Sequence, residues 1–279
     1  MSTYKTEGII IKREYFGEAS LALDVYTRKY GKIRAVARSA RKSGGKLKGH
    51  LELFLNVEIM LARGRNIDTI ASSITAENFS RVRSDLKLSS TAYLMVELAD
   101  KFTAEGHRDE KIFWLLEKAL GFLNRLPASN IVETRQRLVS TAMTVLLFQI
   151  HLLDLTGFSP ELNKCVVCGK AIKPNKNYFS VLKGGIISEE CFNENKNGCP
   201  ISVEVIKLLR LFQLKKNNLN TEEYQNEIDR DFEIIKKLRI NNELVSVAVF
   251  LMNEFMEFSI GSKIKGIEFF KEMSIMKER

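Results

Sequence analysis

The chain has 279 residues, enough for one large domain or two modest ones with buried cores. Apolar residues make up 45% and charged residues 28%, which excludes a disordered chain. The longest charge-free apolar stretch, residues 138–153, contains Gln149 and His151 and falls short of the ~20 residues a bilayer requires. No transmembrane helix and no secretory signal are expected, and the location expected is cytoplasmic.

The net charge of +9 is unevenly placed: residues 1–80 carry 14 Lys and Arg against 8 Asp and Glu. Arg28, Lys29, Lys32, Arg34, Arg38, Arg41, Lys42, Lys46 and Lys48 follow one another with no acid between them. Like charges this dense repel one another. A solvated basic surface is the plain reading and a polyanion partner the sharper one.

In chain order, residues 1–71 read as β-structure. From Leu51 to Leu61 apolar residues alternate with a period of two, as in a half-buried strand. Residues 9–12 and 20–27 are further strands, the latter with Leu21, Leu23 and Val25 on one face. In residues 32–38, Ile33, Ala35 and Ala37 share one face while Arg34 and Arg38 share the other. Turns at Tyr30-Gly31 and around Gly64 separate these runs. Five short strands in this length fit a small barrel of OB type. The segment SARKSGGKLKGH that follows reads as a mobile basic loop. A sheet face beside such a loop suits single-stranded nucleic acid, with charge tracking phosphates and aromatics stacking on bases. Tyr15, Phe16, Tyr26 and Phe54 are the stacking candidates, about half of them expected in the core.

From Asp85 onward the period is helical, over residues 86–102, 111–126, 131–155, 201–214 and 243–259, with 215–226 read as an exposed connection. The four cysteines, Cys165, Cys168, Cys191 and Cys199, fall within 35 positions. Cys165-Val-Val-Cys168-Gly169 has the form of a zinc knuckle, while the second spacing is looser. Structural zinc is the leading account; free thiols and a disulfide or redox pair are the alternatives. No nucleotide-binding or hydrolase motif occurs, so no enzyme activity and no nucleotide cofactor are expected. His151, inside an apolar helix, reads as a hydrogen-bonded core residue, and His50 lies beside the basic loop.

These pieces resemble the RecO family of bacterial recombination mediators. The resemblance rests on Gly8-x-Ile10, Gly17-Glu18-x-Ser20, Thr27-x3-Gly31-Lys32, the Ala37–Arg41 segment, FQIHLLDLTGFSPELNKCVVCGK and Gly184-Gly185, in that order. In the family pattern a C-x2-C follows the paired glycines; here it falls on Ser188 and Cys191, leaving Cys199 as the substitute fourth ligand or the site degenerate. The fold expected is α+β: an OB-fold barrel over 1–80, a helical bundle in two parts at 81–160 and 201–279, and a zinc-binding-like cysteine insert at 161–200. The resemblance implies a non-enzymatic mediator; nucleoid association is expected with it, and a monomer is the default expectation for the chain alone. It would bind single- and double-stranded DNA through the nine basic residues of that run, with Arg34, Arg38, Arg41 and Lys42 expected to carry most of the contact, anneal complementary strands and contact the acidic tail of single-stranded DNA-binding protein (SSB). With RecR, and RecF, it would help RecA replace SSB. A tail of that kind requires a cation beside an apolar groove; Arg135, Arg137 and Arg210 qualify on charge. An RNA-binding, translation-associated OB protein and a protein-binding scaffold are the alternatives.

Overall fold

In the computed structural model, described for residues 2–41, 47, 49–127, 133–195, 197–214 and 218–275, the N-terminal strands are β1 (Thr3–Phe16), β2 (Ser20–Thr27), β3 (Gly31–Ala37), β4 (Asn56–Ala62) and β5 (Asp68–Glu77). They close into a barrel in the order β1-β2-β3-β5-β4. β1 makes closure possible because it is long: residues 3–9 pair with β4 and residues 8–16 with β2. The register shifts between Ile10 and Lys12, a bulge that bends the strand as it passes from one partner to the other. β3 and β5 run parallel. Ile10, Leu21, Leu23, Val25, Ala35, Ala37, Val57, Ile59 and Leu61 fill the interior, the set that the period of two assigns to one face.

Two local readings are corrected. The alternation from Leu51 to Leu61 continues in side-chain burial but not in backbone: Leu51 and Leu55 enter the barrel core, yet the strand begins only at Asn56. Residues 52–54 turn, with Phe54 at φ 70° and its N–H donating to the Ile10 carbonyl. Apolar residues two apart can thus plug a barrel end without forming a strand. In addition β3 stops at Ala37, so Arg38 leaves the sheet instead of sharing a strand face with Arg34.

The helices are α1 (Ser80–Ser84), α2 (Leu86–Phe102), α3 (Glu110–Arg125), α4 (Glu133–Thr156), α5 (Glu189–Asn195), α6 (Val203–Phe212), α7 (Thr221–Lys237), α8 (Asn242–Ile260) and α9 (Lys265–Ile275). A small sheet ordered β7-β6-β8 comprises β6 (Asn177–Ser180), β7 (Gly185–Ser188) and β8 (Cys199–Ile201). α7 begins inside the stretch read as an exposed connection, and Tyr224 is fully buried. One buried aromatic among polar neighbours was too sparse a signal for a helix.

The chain packs as two compact units, Met1–Leu126 with Thr221–Ile228 and Lys265–Arg279, and Pro127–Asn220 with Asp229–Ile264. In the first, Asp85 and Asp109 cap α2 and α3 by accepting from backbone N–H groups of their first turns. α9 is capped from outside its own sequence: Glu97 of α2 accepts from the N–H groups of Lys265 at 3.1 Å and Gly266 at 2.6 Å. In the second unit, Gln149 donates to Asn253 at 2.6 Å and His151 lies 3.2 Å from Asp231, all four buried. These pairs give Gln149 and His151 buried partners inside the apolar α4, while the Gln149 Oε1 has none among the described residues. Residues Gln136–Thr156 of α4 are long and apolar enough to cross a membrane, and most of that stretch is buried as a core helix.

Candidate nucleic-acid interface

The basic run divides into residues paired with acidic side chains and residues that have no such partner among the described residues. Lys32 donates from Nζ to the Asp100 carbonyl at 2.6 Å and carboxylate at 2.9 Å. The Arg28 guanidinium bonds Glu110 at 2.6 Å and lies over the Trp114 ring. Arg34 bridges Asp24, at 3.2 Å, and Glu14, whose other neighbour is Lys12 at 2.9 Å. Hydrogen bonds from Lys12 and Arg34 hold Glu14 below the usual carboxylate range, whereas burial pushes Asp24 up against the pull of Arg34. Local sequence pattern does not carry these counter-charges, because Glu14 and Asp24 meet Arg34 through sheet register, across 20 and 10 residues.

Lys29, Arg38 and Arg41 are exposed. Among the described residues Lys29 and Arg38 have no ion-pair partner. Arg41 lies with its guanidinium 4.4 Å from the Tyr15 ring and donates to the Glu18 carbonyl at 2.9 Å. Register sets Tyr15, Leu21 and Ala37 side by side across three strands, so the β1–β2 turn and the exit of β3 share one end of the barrel. The four aromatic candidates split there. Tyr15 is 77% exposed and Phe16 54%, while Tyr26 and Phe54 are buried. Tyr26 instead donates its hydroxyl to the Asp109 carbonyl at 3.2 Å. This end therefore carries two exposed aromatic rings and two arginines, one of which, Arg41, lies over the Tyr15 ring, the residue types that base stacking and phosphate neutralisation require. Lys42, Lys46 and Lys48 lie outside the described residues. His50 is turned to β5, its Nδ1 2.8 Å from the Thr75 hydroxyl.

In the second unit, Cys165, Cys168 and Cys191 bring their sulfur atoms within 4.8 Å of one another. The first two sit on a tight turn in which Gly169, at φ 72°, donates to the Cys165 carbonyl at 2.8 Å. The Val166 N–H donates to Ile186, fastening this turn to β7, and Cys191 follows in the first turn of α5. The paired glycines have a steric reason. A Cβ on Gly185 would stand 2.4 Å from the Glu161 carbonyl oxygen, and Gly184 has φ 75°. Burial pushes the Cys165 thiol up, but the N–H groups of Ser188, Cys168 and Val167 and the Ser188 hydroxyl outweigh it and bring it to about 6. Such a cluster fits a thiophilic divalent ion. Cys199 is the correction: it lies on β8 outside the cluster, its thiol donating to the Phe179 carbonyl at 3.5 Å. Pairing of β8 with β6 fixes it there. Of the arginines considered for an acidic tail, Arg210 is bound to the Leu162 carbonyl at 2.9 Å, and the Arg135 side chain lies outside the described residues.

The sequence matches the family models described as Recombination protein O N terminal, over residues 1–79, and Recombination protein O C terminal, over residues 83–230. A protein named DNA repair protein RecO from Dehalococcoides mccartyi is 37% identical over 243 residues, covering 87% of this chain and 85% of that one. Its namesake from Desulforamulus reducens is 30% identical over 272 residues, covering 96% and 94%. In Bacillus pumilus the namesake is 30% identical over 208 residues, covering 75% and 76%. The OB-like barrel lies within the first match and the cysteine cluster within the second, and the chain belongs to the RecO family of DNA repair proteins.

Proposed function

We propose that this protein is a non-enzymatic recombination mediator that binds single- and double-stranded DNA at the basic end of its barrel and anneals complementary strands without nucleotide. The observation that carries this reading is the exposed group of Tyr15, Phe16, Arg38 and Arg41 at the point where the basic segment leaves β3. Annealing requires neutralising two backbones at once without reading bases, and affinity then follows the number of phosphates neutralised. A Gly- and Ser-rich segment with lysines meets that requirement. The protein acts in the cytoplasm at the nucleoid, with RecR and RecF, to let RecA replace SSB. For the acidic, apolar-ended SSB tail, the second unit offers a cavity of about 630 Å³ lined by Val139, Leu238 and Ile240 beside the exposed Arg239. The cysteine cluster holds zinc in a structural role, tying the turn at Cys165 to the start of α5.

The test is annealing of two complementary oligonucleotides coated with SSB, followed by fluorescence in the absence of nucleotide. Acceleration by the protein supports the mediator reading. Absence of acceleration together with preference for RNA of the same sequence would replace it with the RNA-binding alternative.

A further inference from the structure

The corner of the cysteine cluster that a fourth thiol would occupy is taken by Ser188. Its N–H donates to the Cys165 sulfur at 3.4 Å and its hydroxyl lies 3.6 Å from the same atom. The hydroxyl also hydrogen-bonds Cys191. Ser188 ends β7 three positions before Cys191, so the backbone there has the form of a second knuckle with one sulfur replaced by oxygen. A neutral alcohol is a weak ligand for zinc beside thiolates, but a good hydrogen-bond donor to them. The remaining cysteine is committed elsewhere, to the Phe179 carbonyl. Cys168 is exposed and Cys191 half-exposed, so the cluster is open to solvent on that side.

We propose that this chain holds its metal through three thiolates only, those of Cys165, Cys168 and Cys191, with the Ser188 hydroxyl donating to sulfur and the fourth coordination position left to an outside ligand. This rests on the reading that zinc is bound at all. Three thiolates and a divalent ion carry a net charge of about −1 instead of the −2 of a four-thiolate centre. The metal is then exchangeable, and its affinity is limited by a single missing ligand.

The experiment uses the full-length chain, purified reduced and loaded with Co²⁺ or Zn²⁺, with circular dichroism to confirm folding of each variant. In Ser188→Cys the thiolate-to-cobalt absorbance should rise by about a third as three thiolates become four. Loss of Zn²⁺ to a chelating dye should slow by on the order of tenfold or more. Cys199→Ser should change neither. Added imidazole should shift the cobalt spectrum of the natural protein and leave that of Ser188→Cys unmoved. Loss of absorbance in Cys199→Ser, or a natural protein indifferent to imidazole, would overturn the three-thiolate centre while leaving zinc binding intact. Failure of both the natural protein and folded Ser188→Cys to take up either ion would overturn the zinc reading itself.

Discussion

Replacing Arg38, Arg41 and Lys42 together with alanine is expected to weaken binding of single-stranded DNA by on the order of 10- to 100-fold near physiological salt, whatever the sequence. Each cation that neutralises one phosphate contributes about 0.7 to the slope of log affinity against log salt for a single strand, so the triple variant should lose about 2 from that slope. The size of the loss depends on which cations are available. Arg38 is exposed and has no ion-pair partner among the described residues, and Arg41 stands over Tyr15 at the same end of the barrel. Arg34, of equal charge and only four residues earlier, is bound by Glu14 and Asp24. Its replacement by alanine leaves Asp24 buried without its guanidinium, and should appear in the melting temperature more than in the salt slope. An unchanged slope in the triple variant, or a larger loss in Arg34→Ala, would place the DNA elsewhere.

Gly31→Ala is expected to destabilise the protein by about 3 kcal/mol, measurable by urea denaturation as a lower midpoint. Two effects add. Gly31 has φ 66°, a region in which an L residue is strained, and a Cβ there would lie 1.8 Å from the carbonyl oxygen of His107. The turn cannot yield freely: the Thr27 hydroxyl donates to the Gly31 carbonyl at 2.8 Å and accepts from the Tyr30 N–H at 3.0 Å. The next residue accepts from the Gly106 N–H at 2.9 Å. Gly17 provides the control, with φ 65° and nothing among the described residues within 4 Å of an added Cβ. Gly17→Ala should show the conformational strain alone, about 1 kcal/mol. Equal losses at the two positions would mean that the segment at His107 moves aside at no cost.

The same turn illustrates what the sequence discloses. Thr27, Gly31 and Lys32 are legible as a turn motif, but the reason for each is tertiary: a hydroxyl clasp, a close approach to His107 and an ion pair with Asp100. The barrel strands are readable because one face fills the interior with apolar side chains and the period of two survives in Leu21, Leu23 and Val25, although the other face of β2 is covered as well. The segment at Leu51–Leu55 misled because burial and strand pairing part company there. The capping of α9 by Glu97 and the neutralisation of Arg34 involve residues remote in sequence or set by sheet register, which local pattern does not carry. Tyr15 and Tyr26 could not be told apart by spacing; one reaches solvent at a strand end, the other is covered on the side of Asp109. At the cysteines, the knuckle was plain from its two-residue gap, while the exclusion of Cys199 follows from a short strand pairing between β6 and β8.

The most direct test of the barrel end as the DNA surface is ultraviolet cross-linking of the protein to single-stranded oligonucleotides, with the modified residues identified by mass spectrometry. Cross-links should concentrate on Tyr15 and Phe16 and on the segment from Arg38 to Lys48, and disappear as salt is raised. Buried Tyr26 and Phe54 should remain unmodified. Cross-links confined to the second compact unit, with Tyr15 and Phe16 untouched, would contradict the account.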